Sequence, residues 1–261
     1  MAYRNSGIGL LLAAAFSASA MAQGVITDGN ARFEFINSTT PGSADFEPDG
    51  GTDHLFQNWW WFRVDGAPSE TRMTWFPTSQ SYVGNVASLG ASEALFDWRL
   101  RVQLTDGGAP GEALIGQAMT LTNTSNGPLR VSLFNYADFD VSGTFSGDSA
   151  ILAGPNLMRI TDGITGDFAE FQGVGASAWA VQSFAGLRTL LDDGAITNFS
   201  NTGLPFGPGD FTGAFQWRLS IPVGGSVTVF EFLSINMAVP APGAALLLGL
   251  GGLVATRRRR A

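Results

Sequence analysis

Cysteine and lysine are missing altogether, histidine occurs once, and only 14% of the residues are charged. Each shortage closes a route. Without cysteine no disulfide can brace the fold, even in an oxidising compartment, so stability has to come from the core. With His54 as the single histidine, and no cysteine or lysine, a hydrolase triad would rest on that one side chain. A His-rich zinc site cannot be assembled. His54 itself reads as an exposed loop residue beside an acidic stretch. Neither a phosphate-cradling glycine loop nor a dinucleotide fingerprint is found. Helical periodicity is almost absent.

What the chain does have is acid and aromatic mass. All 14 basic residues are arginine, and five of them, Arg4 and Arg257 to Arg260, lie at the two ends. Residues 23–238 therefore set nine arginines against all 22 carboxylates, a formal charge of −13. Such a surface argues against nucleic acid and anionic membranes as partners. It suits solubility outside the cell, or association with divalent cations. Twenty Phe and seven Trp are ample material for a core.

The patterning between the ends is strand-like. Phe96, Trp98, Leu100, Val102 and Leu104 alternate with Asp97, Arg99, Arg101 and Gln103. That period of two gives one buried and one wet face, whereas a helix would scatter the same residues all round. Leu129 to Leu133, Arg32 to Phe35 and Trp217 to Ile221 repeat it. Val227 to Ile235 is apolar on both faces for much of its length, as an inner strand would be. Turn signals such as Asp65-Gly66, Asp106-Gly107-Gly108, Asn126-Gly127-Pro128 and Gly224-Gly225 separate the runs. These features predict an all-β protein, one antiparallel sandwich or jelly-roll-like domain over residues 23–238. Leu187 to Leu191 is the one stretch expected to be a short helix, and Pro41 to Asp53 the main irregular loop.

Three internal segments carry candidate sites. Asp45, Glu47, Asp49 and Asp53 place acids at alternate positions around Gly50-Gly51, like the first half of a calcium loop, although the twelfth position is Phe56 and not glutamate. Asp138 and Asp140 would share one face of a strand, with Asp148 as a further oxygen donor for calcium. In Gln57-Asn58-Trp59-Trp60-Trp61-Phe62-Arg63, one aromatic pair, Trp60 and Phe62, faces opposite to the other, Trp59 and Trp61. One pair must enter the core. The other either meets a further layer or lies exposed, where Trp59 and Trp61 would stack on sugar rings. Seven glutamates leave a carboxylate-dependent glycosidase open, but no local motif singles out a pair.

The ends read as addresses. Arg4, the apolar run Ile8 to Phe16 and the site Ala20-Met21-Ala22 before Gln23 form a signal peptide over residues 1–22. At the other end, Val239-Pro240-Ala241-Pro242 leads into an apolar segment that reaches Ala255, then Arg257, Arg258, Arg259 and Arg260. Ala241 to Ala255 would make a helix of about 22 Å at ~1.5 Å per residue, short against a hydrocarbon core of roughly 30 Å. The arginines would hold the end on the cytoplasmic side as a stop-transfer block. This three-part order resembles the PEP-CTERM sorting domain of Gram-negative bacteria, with Ala241 where the family's pattern has glutamate. The resemblance covers about a tenth of the chain, residues 239–261. It implies an exosortase-type membrane protease as partner, an inner-membrane intermediate, and delivery to the cell surface or extracellular polysaccharide matrix. The sequence as a whole predicts an exported, non-enzymatic surface protein. A carbohydrate-binding module built on Trp59 to Trp61 is the first alternative.

Overall fold

A computed structural model describes residues 24–35, 43–74 and 77–239. The expected signal-peptide residues, including Ala20, Ala22 and Gln23, lie outside them, as do Pro240, Ala241, Pro242 and Arg257 to Arg260.

The chain is an antiparallel β-sandwich. Strands β1 (Gly24–Asp28), β2 (Ala31–Phe35) and β3 (Ala44–Glu47) form a small three-stranded sheet. Next come β4 (Leu55–Val64) and the two-residue β5 (Thr71–Arg72). A meander follows: β6 (Ser79–Val83), β7 (Val86–Ser92), β8 (Phe96–Asp106) and β9 (Ala113–Asn123). The chain then crosses to β10 (Leu129–Phe139) and returns through β11 (Asp148–Gly154), β12 (Leu157–Asp162) and β13 (Phe168–Val174). It closes with β14 (Ala178–Ser183), helix α1 (Gly186–Asp192), β15 (Phe206–Gly209), β16 (Phe211–Ile221) and β17 (Ser226–Ile235). The smaller main sheet runs β14-β16-β10-β4-β5, and the larger runs β15-β11-β12-β13-β17-β9-β8-β7-β6.

The alternation read in the sequence becomes the inner lining of these sheets. On β8, Phe96, Trp98, Leu100, Val102 and Leu104 are buried while the residues between them are wetter. They join one hydrophobic cluster with Trp60, Phe62, Leu133, Phe139, Phe215 and Trp217 of the smaller sheet and Phe171 and Leu233 of the larger. Trp60 stacks on Trp217 at 5.7 Å. At Gly173 a Cβ would come 2.5 Å from the Phe215 ring, so the two sheets approach too closely there for any side chain.

β17 is an inner strand between β13 and β9, as its two apolar faces require. The short helix also stands where the sequence put it, over Gly186–Asp192. Within the expected loop Pro41 to Asp53, the described residues, from Ser43 on, are more regular than expected. Its Ala44–Glu47 portion pairs with β2 in register Arg32↔Glu47 to Phe35↔Ala44, which buries Phe46 and Ala44.

Candidate functional site

The outer face of the five-stranded sheet carries most of the polar chemistry. Along β10, residues 129, 131, 133, 137 and 139 face the main core. Arg130, Ser132, Phe134, Tyr136 and Asp138 alternate onto the other face. Its middle is capped by a second apolar cluster, in which Trp59, Trp61, Phe134, Tyr136 and Ala214 meet Leu187 and Leu191 of α1 and Phe199. Polar pins hold this cap down. The Trp61 indole donates to Asp192 Oδ1 at 2.9 Å, Arg72 pairs with the same carboxylate, and Arg188 donates to Gln57 Oε1 at 2.9 Å. Arg63 pairs with the buried Glu70 and donates to the Thr197 carbonyl and to Asn198.

Trp59 and Trp61 are therefore core residues of a second layer, 5% and 1% exposed. Neither ring presents a face to a sugar. The cap that α1 and Phe199 make over them is the further layer that the sequence left as one of two outcomes.

Beyond one edge of the cap lies a groove of about 280 Å³ lined by Arg63, Asp65, Arg130, Ser132, Arg218 and Ser220. Cross-strand register builds it: Ser132 stands opposite both Arg63 and Arg218, and Arg130 opposite Ser220. Arg130 and Arg218 are exposed.

Beyond the other edge lies an acidic cluster. Asp138 near the end of β10, Asp140 just after it, and Asp210 between β15 and β16 have carboxylate oxygens within 4.8 Å of one another. Asp138 is 1% exposed and accepts the Tyr136 hydroxyl on Oδ2 at 3.2 Å, but its Oδ1 has no hydrogen-bond partner. Asp148, at the start of β11, is fully buried, and neither of its oxygens has a hydrogen bond of normal geometry. Burial is the first reason that the Asp138 carboxyl is pushed up to about 8, with Asp140 and Asp210 adding to it. Asp140 is pushed up to about 6 by burial and then by Asp210. Asp148 goes to about 7 by burial, then by Asp162, Asp140 and Asp210, while the Val141 N–H opposes the shift. Asp210 itself is raised by burial. Like charges forced together away from water favour the neutral acids.

The carboxylates of the acidic loop are engaged within the fold. Asp45 and Glu47 lie on β3 beside Arg32, at 3.8 and 2.7 Å. Asp49 folds back on the Gly51 N–H at 3.1 Å. Asp53 accepts the Phe46 and Leu55 N–H groups on one oxygen, at 2.8 and 3.1 Å, and burial still pushes it up to about 7. These carboxylates are spent on the strand and its turn. His54 is 6% exposed, against the expectation of a loop residue in solvent. Its Nδ1 accepts the Ser142 N–H at 3.0 Å, its carbonyl accepts the Asp140 N–H at 3.1 Å, and burial lowers its pKa. A nucleophile poised on His54 is not among these contacts.

Asp210 is the site residue that sequence reasoning missed. It stands 72 positions from Asp138, with no spacing that would relate the two. Folding brings them together because β16 pairs with β10, setting Thr212 opposite Asp138.

The sandwich is similar to part of a bacterial glucoamylase solved with acarbose. The TM-score is 0.56 at 13% identity, covering 90% of this chain and 35% of that one. A kojibiose phosphorylase from the human microbiome (TM-score 0.43, 8% identity, 89% and 32% covered) and a polysaccharide lyase (0.47, 10%, 80% and 33%) match more loosely. This chain spans about a third of the length of each. No protein-family model matches it, and no curated protein matches its sequence. At these identities the likeness is one of fold.

Proposed function

We propose that this chain is an exported, non-catalytic protein of the surface or extracellular polysaccharide matrix of a Gram-negative-type bacterium, and that its sandwich holds acidic polysaccharide. The arginine groove carries the ligand class. In a domain of charge −13, Arg63, Arg130 and Arg218 gather on one sheet face, and two of them are exposed. A guanidinium fork suits the carboxylate of a uronate, in a paired and planar geometry that a point charge does not offer. Ser132, Ser220 and Asp65 supply partners for hydroxyls on the same ring. The delivery half of the proposal rests on the signal peptide, the Val239 to Pro242 motif and the terminal arginines, through an exosortase-type protease. The likeness to a glucoamylase solved with acarbose makes carbohydrate the first ligand class to try.

The test is binding of the whole chain to alginate, with dextran as the neutral control. Alginate should bind and dextran should not, and binding should weaken as salt rises. The double variant Arg130→Ser/Arg218→Ser should lose binding without losing the fold. Equal binding of both polymers, or an unaffected double variant, would remove the groove from the proposal. Release of new reducing ends would favour the second reading, a carboxylate-dependent glycosidase. The observation behind that reading is the close Asp138–Asp140 pair with raised pKa values, though Asp138 is buried away from any polymer.

A further inference from the structure

We infer that Asp138, Asp140 and Asp210 bind a hard divalent cation, calcium, at the end of the sandwich where its two sheets meet.

The donor set is all oxygen, and it comes from two segments 70 or more positions apart in the chain. Calcium holds oxygens at about 2.3–2.6 Å, so two ligands on opposite sides of it stand about 4.6–5.2 Å apart and neighbouring ones stand closer. A trio whose oxygens all lie within 4.8 Å of one another fits round one such ion. Magnesium, at about 2.0–2.1 Å, would need opposite oxygens within about 4.2 Å and a stricter octahedron.

A group of acids alone would prove little, because carboxylates often crowd at exposed turns. Here one of the three is sealed from water and only half satisfied. Asp138 Oδ1 has no partner in a residue 1% exposed, and against the fully buried Asp148 nearby stands only the Val141 N–H, outside normal hydrogen-bond geometry. Asp148 lies close enough to Asp140 and Asp210 for their charges to act on it. An unpaired buried carboxylate is among the least favourable groups a fold can contain, unless a proton or a cation compensates it. The nearby guanidinium, Arg188, acts on Asp138 only through space, because its own hydrogen bond goes to Gln57 Oε1. Among the described residues, no ion pair reaches any of the four acids.

The placement also gives the ion something to do. Asp138 closes β10 in the smaller sheet, Asp148 opens β11 in the larger, and Asp210 sits where the chain steps from β15 in one to β16 in the other. One cation bound there ties both sheets at the point where no backbone ladder joins them.

The experiment is calorimetric titration of the whole chain in detergent with calcium chloride, together with melting in calcium and in chelator. About one calcium should bind per chain, with a midpoint at or below about 1 mM, as in extracellular modules, and calcium should raise the melting temperature. The double variant Asp140→Asn/Asp210→Asn should lose both effects, yet melt in chelator at or above wild type, because two repelling charges are gone. Asp49→Asn, in the separate acidic loop, should bind as wild type does. Four results would each overturn the site: no saturable binding at millimolar calcium, binding retained by the double variant, binding lost in Asp49→Asn, or a double variant that melts well below wild type in chelator. Magnesium binding as tightly as calcium would overturn the choice of ion.

Discussion

Asn58 on β4 donates to Glu231 on β17 across the interior of the sandwich, a 3.5 Å contact between residues 173 positions apart. Around it, Gln117 donates to Asn58 Oδ1 at 2.6 Å, and the Trp60 indole donates to Gln117 Oε1 at 3.0 Å. The network joins the two sheets with directional bonds, as the Trp217 indole does where it donates to the Val174 carbonyl at 2.9 Å. Glu231 Oε2 is left without a partner.

Burial holds the Glu231 pKa well above the ordinary 4.5, and the Asn58 contact offsets this only in part, so the fold favours its neutral form. A carboxyl with a raised folded pKa contributes stability that is fully present below its unfolded value and lost as pH climbs towards the folded one. The wild-type melting temperature should therefore fall from pH 4.5 upward. Glu231→Gln keeps the acceptor, so it should lie within about 1 kcal/mol of wild type near pH 4, show a flatter profile, and be the more stable of the two at pH 7. Parallel profiles in a pH series of melts would mean that Glu231 is charged in the fold.

Trp61 ties α1 to the sheet through packing and its bond to Asp192, with the Arg72 guanidinium 5.1 Å from the ring centroid. Trp61→Ala should lose about 3–5 kcal/mol, as expected for a large aromatic removed from a core. Trp61→Phe should lose less, because Arg72 still pairs with Asp192. Urea denaturation midpoints measure both. A Trp61→Ala protein as stable as wild type would mean that the cap is not held there.

Gly207 has φ +102, and a Cβ there would stand 2.3 Å from the Asp148 carbonyl oxygen. Gly207→Ala should destabilise by more than about 1 kcal/mol and push β15 off β11. The β11 amides that face β15 should then lose hydrogen-exchange protection. Unchanged exchange at those positions would show that the close approach is not required.

The expected signal-peptide cut after Ala22 would leave Gln23 as the first residue, one position before β1 begins at Gly24. N-terminal sequencing of the exported form checks it, and an intact Met1 would defeat the signal peptide. At the other end, the folded part reaches further than its last strand. Val239 donates to Glu170 Oε2 at 2.8 Å and packs with Leu114 and Phe232. Deleting residues 240–261 should therefore release a folded domain into the medium, whereas replacing Arg257 to Arg260 with Ser should weaken retention at the inner membrane. Each charge at the bilayer centre costs about 2.5–3.5 kcal/mol on insertion scales. If fractionation in a host with the sorting machinery finds wild type and both variants distributed alike, the tail is not a sorting signal.

Much of the sandwich was legible because alternation survives wherever one strand face is wet, as on β8. It was less legible where both faces are covered. The Trp59 and Trp61 rings belong to a strand whose second face meets α1, and period two alone cannot tell such a face from one open to sugar. β3 was hidden because its alternation lasts only four residues among turn formers. His54 is buried by Asp140 and Ser142, more than 80 positions away, so nothing local signals it. The acid cluster was half readable for the same reason: Asp138 and Asp140 are neighbours in sequence, and Asp210 becomes their neighbour only through strand pairing.

The course of β17 has a mechanical consequence. It is the last strand before the tail, yet it lies inside its sheet, laddered to β9 from Ser226↔Thr122 to Ile235↔Ala113 and to β13 from Val174↔Phe230 to Ala169↔Ile235. If the tail is kept as an anchor, as proposed, load on the domain enters at Val239. There the load passes into a strand gripped from both sides, so the domain cannot be unravelled by peeling away an edge. Tension there would have to break two rows of hydrogen bonds together, not one.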